Sequence, residues 1–298
     1  MPTSYSPLRY PGGKSRLTNF MKLVIEQNEL KNGIYAEPFA GGAGVALGLL
    51  LEGYVDQILI NDIDPTIYSF WYSVLNYTDE FCGLISNTPV TITEWQKQKE
   101  VFSLQDTSDV LSLGFATFFL NRTNRSGILK AGVIGGLKQT GNWKIDARFN
   151  KEALIKKIQT ISVFYDQIIL SNLDARKFIR GCIMDLPKKS LVYIDPPYFH
   201  KGQGLYLNAL EPDDHILIAH SVLNEIKTPW IVSYDNTIEI SSLYSGCKQA
   251  AYSLSYSAAN HYDGSEIIIY SDDLKIPSVP NPFTITKDDF KALSLTVA

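Results

Sequence analysis

Short apolar runs alternate along this chain with longer segments whose apolar positions recur at helical spacing. The short runs, rich in Val, Ile, Leu and Tyr, predict strands over residues 34–39, 57–61, 167–170, 191–194 and 230–233. The periodic segments predict helices over 43–51, 65–75, 175–180, 212–226 and 237–244, with Pro65 suited to a helix first turn. Buried strands alternating with helices predict an α/β fold with a mostly parallel sheet covered by helices. Residues 249–257 and 266–270 flank a polar turn at 259–264, so an antiparallel hairpin is expected at one side of that sheet. From residue 81 the alternation lapses into helical pattern and a glycine-rich basic stretch. We read 81–155 as a second, mainly helical domain inserted into a first one built from 1–80 and 156–275. Residues 276–298, beginning near PSVPNPF, are expected to form an extended tail.

Composition narrows the class. The 298 residues are 45% hydrophobic and 19% charged, and no apolar run reaches the roughly 18 residues of a membrane span. MPTSYSPLRY lacks the apolar core of a secretion signal, and Cys82, Cys182 and Cys247 are odd in number and widely spaced, so a reducing, cytoplasmic setting is expected. Without a C-x-x-C pair or histidines at ligand spacing, no metal site is expected.

The net charge of -4 conceals a segregation. Residues 121–157 hold nine cations against two anions, Asp146 and Glu152, while the rest of the chain holds eighteen against twenty-nine. One basic face can thus meet a polyanion while the remainder stays acidic. NRTNRSGILKAGVIGGLKQTGNW also mixes Asn, Arg, Gln and Thr, side chains that contact both phosphates and base edges.

Three loops carry candidate chemistry. Glu37-Pro38-Phe39-Ala40-Gly41-Gly42-Ala43-Gly44 follows a strand and opens a helix, where glycines admit a ligand close to backbone N–H groups. Leu47 occupies the third glycine position of a dinucleotide fingerprint, which argues against nicotinamide binding. At the next strand end, Asn61-Asp62-Ile63-Asp64 places an acid where it can accept from both ribose hydroxyls of a nucleoside-containing cofactor, and Asp62 suits this better than the helix-capping Asp64. Tyr10-Pro11-Gly12-Gly13-Lys14-Ser15 mimics the end of a P-loop, but Leu8 stands where its first glycine belongs, so ATP hydrolysis is not expected. The third loop, Asp195-Pro196-Pro197-Tyr198, ends an apolar strand with an acid, two prolines and an aromatic ring. Rigid oxygen acceptors beside a flat ring suit a planar group bearing an NH2.

At these residues the chain resembles the Dam-type DNA adenine-N6 methyltransferases, which use S-adenosyl-L-methionine. The resemblance covers most of residues 6–271 and rests on the order of four elements: Tyr10-Pro11-Gly12-Gly13-Lys14, Glu37-Pro38-Phe39-Ala40-Gly41, Asn61-Asp62-Ile63 and Asp195-Pro196-Pro197-Tyr198. It implies a Rossmann-like methyltransferase sheet with an inserted DNA-recognition domain. It implies cofactor binding by Tyr10, Gly13, Lys14, Glu37, Phe39, Gly41, Asp62, Ile63, Asp174 and Asp195. Catalysis would fall to Asp195, Pro196 and Tyr198, and DNA contact to Asn121, Arg122, Asn124, Arg125, Lys138 and Lys144. Ser233-Tyr234-Asp235-Asn236 occupies the place of a further strand-end loop near the target base. Ala43 stands where the family usually carries a second glycine.

The reaction so implied is methylation of the adenine N6 in double-stranded DNA with the base extruded from the helix, because N6 is inaccessible inside the stack. Cytosine-C5 methylation is excluded, since no cysteine lies in a Pro-Cys loop beside a base pocket. Cytosine-N4 or RNA methylation, and a DNA-binding module without catalysis as Ala43 suggests, remain alternatives. A monomer is expected, with a restriction endonuclease or another defence-system protein as the implied class of partner.

Overall fold

The computed structural model describes residues 5–9, 14–199, 210–256 and 262–297. One seven-stranded sheet forms the centre. Its strands are β1 (Gly33–Glu37), β2 (Val55–Asn61), β3 (Ile168–Ser171), β4 (Ser190–Ile194), β5 (Trp230–Asp235), β6 (Lys248–Tyr256) and β7 (Tyr262–Tyr270), in the spatial order β3-β2-β1-β4-β5-β7-β6. β1 to β5 pair in parallel, and β7 runs antiparallel to both β5 and β6. This is the mostly parallel α/β sheet with a C-terminal antiparallel hairpin that the sequence pattern predicts. β7 begins at Tyr262, earlier than expected, so it takes in residues 262–264 of the predicted turn; 257–261 lie outside the described residues.

Alternation along each strand divides two cores. Tyr35, Ile58, Ile60, Leu191, Tyr193, Ile231 and Ile268 face one side. Ala36, Leu59, Val192, Ile194, Val232, Tyr234, Ile267 and Ile269 face the other. Every residue of β4 is buried, as expected for a central strand covered on both faces. Helices α1 (Thr18–Gln27), α2 (Gly44–Leu51) and α3 (Pro65–Asn76) contribute Phe20, Val24, Leu47, Leu50, Phe70 and Trp71 to the first core.

Residues 78–162 add α4 (Thr78–Asn87), α5 (Ile92–Leu104), α6 (Val110–Thr123) and α7 (Lys151–Ser162). These helices share the first core through a chain of aromatic rings. Phe70 of α3 stacks on Phe118 of α6 at 6.0 Å, and Phe118 meets Phe81 and Phe149 at 5.5 Å each. The long loop between α6 and α7 is anchored there by Val133, Ile145 and Phe149, all buried. The α3–α6 crossing is close because Gly114 has no side chain: a Cβ there would lie 2.5 Å from the Ser69 carbonyl oxygen.

On the second face, α8 (Ala175–Phe178), α9 (Pro212–Glu225) and α10 (Ile238–Leu243) cover the sheet with Phe178, Ile218, Val222 and Ile240. The helix expected over 175–180 is shorter than predicted and widens into a π-type turn at Ile179–Ile183. The chain beyond 276 is not extended throughout. It buries Phe283 and forms α11 (Lys287–Val297), started by a reciprocal cap in which Asp289 N donates to Thr286 Oγ1 and Thr286 N to Asp289 Oδ2. Asn19 Nδ2 of α1 donates to the Ile285 carbonyl at 2.9 Å, holding this segment to the core. The prolines that suggest an extended strap end before a Thr-x-x-Asp cap that starts a helix.

Because β1 to β5 are parallel, their carboxyl ends open on one edge, and the strand order reverses between β1 and β4. Ligands of open α/β sheets bind in that crevice. Gly114→Ala should destabilise the protein by about 1–3 kcal/mol through overpacking at the α3–α6 crossing, although alanine is the better helix former. A lowered thermal midpoint with intact far-UV circular dichroism is the expected result.

Candidate active site

The loop after β4 leaves the sheet at the crevice. Pro196 is buried, while Asp195, Pro197 and Tyr198 are half-buried. Two prolines remove two N–H donors, so this turn offers oxygen acceptors on a backbone of fixed angle. Phe199 N donates to Asp235 Oδ1 at the end of β5 at 2.9 Å, which clamps the far side of the loop.

Asp195 Oδ1 receives two donors. Ser233 Oγ on β5 lies 2.7 Å away and Lys14 Nζ 3.3 Å away. A hydroxyl has one proton, so with Ser233 donating to the carboxylate, Tyr193 OH, 2.7 Å from Ser233 Oγ, donates to Ser233. The relay Tyr193–Ser233–Asp195 thus fixes the carboxylate plane, and among the described residues no hydrogen bond reaches Oδ2. Lys14 also lies 3.4 Å from Glu266 Oε1 on β7, donates to Tyr198 OH and stands 4.6 Å from the centroid of that ring. Burial raises the Asp195 pKa above its ordinary value; Lys14 opposes this, Glu266 adds to it and the Ser233 hydrogen bond opposes it.

The crevice between β1 and β2 forms a second group. Gly41 adopts φ 47°, a left-handed conformation suited to glycine, and its N–H donates to Asp62 Oδ2 at 2.9 Å. Asp64 N donates to Asp62 Oδ1 at 2.9 Å. The half-buried Asp62 has its pKa pushed up to about 7, chiefly by burial. Asn61 ties three loops together: its Nδ2 donates to the Pro38 and Leu173 carbonyls, and its Oδ1 accepts from Leu173 N, each at 2.9 Å. Asp174, next in sequence, caps α8 by accepting from Arg176 N and Lys177 N. Phe39 is half-buried against the second core, and Ile63 is 46% exposed. Glu37 is buried beneath the glycine loop, where it accepts from Tyr35 OH at 3.0 Å and Ala46 N at 3.1 Å. Burial pushes its pKa up to about 8. Ala43 adopts φ 46° and is buried, so the chain holds a left-handed alanine where two glycines flank it. Tyr10 and Gly13 lie outside the described residues.

The basic stretch divides into buried and exposed members. Asn121 and Asn124, expected at the DNA, are buried and committed to the protein. Asn121 Nδ2 donates to the Arg9 and Gly127 carbonyls at 2.9 Å, and its Oδ1 accepts from Arg9 N at 2.7 Å. Asn124 Oδ1 accepts from Trp95 Nε1 at 2.7 Å, while Nδ2 donates to the Ile128 and Leu129 carbonyls. Both asparagines therefore brace the turn that starts at Arg125. Arg122 is half-buried, and its Nε donates to the Arg148 carbonyl at 2.7 Å. Arg125, Lys138 and Lys144 are exposed, and Lys144 Nζ donates to the Gln139 and Gly141 carbonyls. An antiparallel bridge between Asn124 and Val133 closes the Arg125 turn, which faces α5 across an open groove lined by Trp95, Lys99, Arg125 and Leu137.

Sequence inspection gives no role to Glu266, and takes in Asn61 only as part of the Asn61-Asp62-Ile63 element. Glu266 heads the apolar run of β7, and a buried acid at the head of such a strand signals a partner cation. Asn61 precedes the more conspicuous Asp62; its side chain replaces backbone pairing that parallel strands lose at their ends.

The parallel sheet opens its strand-end loops, the Asp195 turn among them, on one ligand-binding crevice. A family model described as D12 class N6 adenine-specific DNA methyltransferase matches residues 10–259, and the chain belongs to that family. No curated protein matches the chain. Among solved structures, a Pyrococcus horikoshii protein provisionally named an RNA methyltransferase is similar at TM-score 0.40 and 10% identity, with 88% of this chain and 84% of that one covered. The rRNA methyltransferase AviRa of Streptomyces viridochromogenes is similar at TM-score 0.38 and 11% identity, covering 88% and 85%. The Legionella pneumophila protein LPL1258 is similar at TM-score 0.34 and 12% identity, covering 97% and 92%. Among the described residues no helix is long and apolar enough to cross a membrane.

Ser233→Ala removes the donor that orients Asp195 and leaves Tyr193 OH without its acceptor. The expected result is a fall in kcat of about tenfold or more, with cofactor affinity unchanged and partial recovery in Ser233→Thr. Equal losses in kcat and cofactor affinity would make Ser233 a general packing residue instead.

Proposed function

We propose that this methyltransferase acts on the N6 amino group of adenine in double-stranded DNA, taking its methyl group from S-adenosyl-L-methionine, with the base extruded into the pocket beside Tyr198. The observation that carries this reading is the arrangement at Asp195. One carboxylate oxygen accepts from Ser233 and lies 3.3 Å from Lys14, while among the described residues no hydrogen bond reaches the other oxygen of this residue, which directly precedes the two prolines. Oδ2 and the Pro196 carbonyl are then two acceptors for the two N6–H bonds. Accepting both draws the nitrogen lone pair out of the ring and toward tetrahedral geometry. The same acceptors stabilise positive charge as it grows on that nitrogen, which favours the transition state over the ground state. Tyr198, held by Lys14, is the ring on which the base would stack, worth about 1–3 kcal/mol. Lys14 opposes the burial-driven rise of the Asp195 pKa and so favours the ionised carboxylate, the stronger acceptor.

The residues of the crevice fit the cofactor. Each Asp62 oxygen already accepts one backbone N–H and keeps lone-pair capacity, so the half-exposed carboxylate suits two adjacent ribose hydroxyls. Gly41 and the start of α2 give close backbone approach, and Asp174 stands at the next loop, tied to Asn61 through Leu173. When bound, the cofactor supplies an electrophilic methyl group on a positively charged sulfur. Lys14 and Asp195 join this crevice to the base pocket, while Arg122, Arg125, Lys138 and Lys144 supply positive charge for the nucleic acid. The basic stretch and the family favour DNA; cytosine N4 and RNA bases carry the same kind of NH2 and are the alternatives.

Incubation with labelled S-adenosylmethionine and duplex DNA, then digestion to nucleosides, should place the label in N6-methyladenine. Asp195→Ala should abolish transfer and leave DNA binding largely intact. Label in N4-methylcytosine or only in RNA would overturn the substrate, and DNA binding without transfer by the wild type would leave a binding module.

Cofactor binding should depend on pH through Asp62. Its folded pKa near 7 lies above that of an exposed aspartate, so the unliganded fold holds the proton as pH rises from about 4 to 7 and loses stability across that window. Binding the ribose hydroxyls favours the ionised form, so affinity should rise with pH and be about tenfold weaker at pH 6 than at pH 8. Calorimetry with Asp62→Asn should show weaker binding and a flat profile; a wild-type profile in that variant removes Asp62 from the cofactor site.

A further inference from the structure

Three arginines converge where the N-terminal segment crosses the end of α6. Arg9 is held there by its N–H on Asn121 Oδ1 at 2.7 Å and by Nη1 on the Asn124 carbonyl at 3.4 Å. Arg122 reaches the Arg148 carbonyl through Nε and Nη2. Arg148 in turn leans over the exposed Trp143 ring, 5.7 Å from its centroid. All three groups hydrogen-bond or pack on neutral partners. No ion pair among the described residues joins Arg9, Arg122 or Arg148 to a carboxylate.

Instead the cations oppose one another. Burial pushes the Arg122 pKa down to about 10, with Arg9 and Arg148 adding to the fall. Burial and Arg148 lower Arg9, and burial and Arg122 lower Lys157 on α7. Two half-buried guanidiniums and an exposed third, kept together against repulsion, match an anion supplied from outside the chain. A base edge carries only partial charges, whereas a phosphodiester carries a full negative charge and two oxygens that fit guanidinium forks. Position narrows the source. Arg9 is five residues from Lys14, a backbone span of at most about 18 Å, so the triad belongs to the same side of the chain as the pocket that would hold the extruded base.

We propose that Arg9, Arg122 and Arg148 form a phosphodiester-binding site that seats the nucleic-acid backbone beside the reacting nucleotide. It rests on the reading of the substrate as nucleic acid, and extends it from a diffuse basic surface to one cluster of three arginines that includes Arg9, outside the basic stretch. A contact of this kind carries no sequence information, so it sets position and affinity rather than site choice.

The test is the salt dependence of binding, followed by fluorescence anisotropy with a labelled duplex and, separately, a single-stranded RNA of equal length. Arg148 is exposed, so Arg148→Gln should fold, and Arg9→Gln is a second variant. Each should lower the slope of log affinity against log salt by about 0.9 on the duplex and weaken binding about tenfold at low salt, equally for methylatable and unrelated sequences. The melting temperature of Arg148→Gln without nucleic acid should match or exceed wild type, because a repelling charge is gone. Lys97→Gln, the same charge change on α5 outside the triad, should keep the wild-type slope. Wild-type slopes in both triad variants would overturn the site. Should the protein bind RNA and not the duplex, the DNA reading falls while the RNA slopes, expected to drop by about 0.7, decide the triad. Binding to neither overturns both.

Discussion

A buried lysine holds this site together. Lys14 sits between the Asp195 carboxylate and Glu266 and donates to Tyr198, so one ammonium ties the N-terminal turn, the loop after β4 and the antiparallel strand β7 to a single point. The two neighbouring carboxylates would repel without the cation, and the buried cation would be costly without them. Asp195 is therefore held by compensation: burial pulls its proton affinity up, and Lys14 with Ser233 pulls it down. An acceptor poised this way can answer positive charge appearing on a nitrogen without first reorganising.

The parallel sheet makes the arrangement possible. Its strands deliver Glu37, Asn61, Asp195 and Asp235 to one edge, and side chains there replace the backbone pairing that ends with the strands. Asn61 joins the loops after β1, β2 and β3, Asp235 clamps Phe199, and Glu37 braces the glycine loop from below. Each of these polar side chains is buried and bonded, which makes the crevice rigid before any ligand arrives.

The helices of residues 78–162 contribute differently. They share the aromatic core with α3, and they use Asn121 and Asn124 to fix the backbone from which the basic side chains project. The uncharged amides serve as scaffold, while several cations are left facing one another or solvent. Segregated charge in the chain becomes concentrated charge in the fold, a tension suited to a polyanion.

Much of this was legible in the residues themselves. Apolar runs of strand length, helical periods between them and glycine or proline at the joints determine the α/β sheet; Asp195 and Asp62 stand out as acids at strand ends and Lys14 as the lysine after a glycine pair. Local pattern also misled at particular places. Proline spacing near 276 concealed the Thr286–Asp289 cap and α11, and amide side chains in a basic stretch resembled base readers when they are buried braces. What only the tertiary structure decided is pairing at a distance: that Lys14 meets Glu266 some 250 residues away, that Ser233 takes its proton to Asp195, and that Arg9 joins Arg122 and Arg148. Periodicity reports which way a side chain must face to be buried, and that is a property of neighbours in the chain. Which charge it meets depends on strand order and helix crossing, and those follow from the packing of the whole.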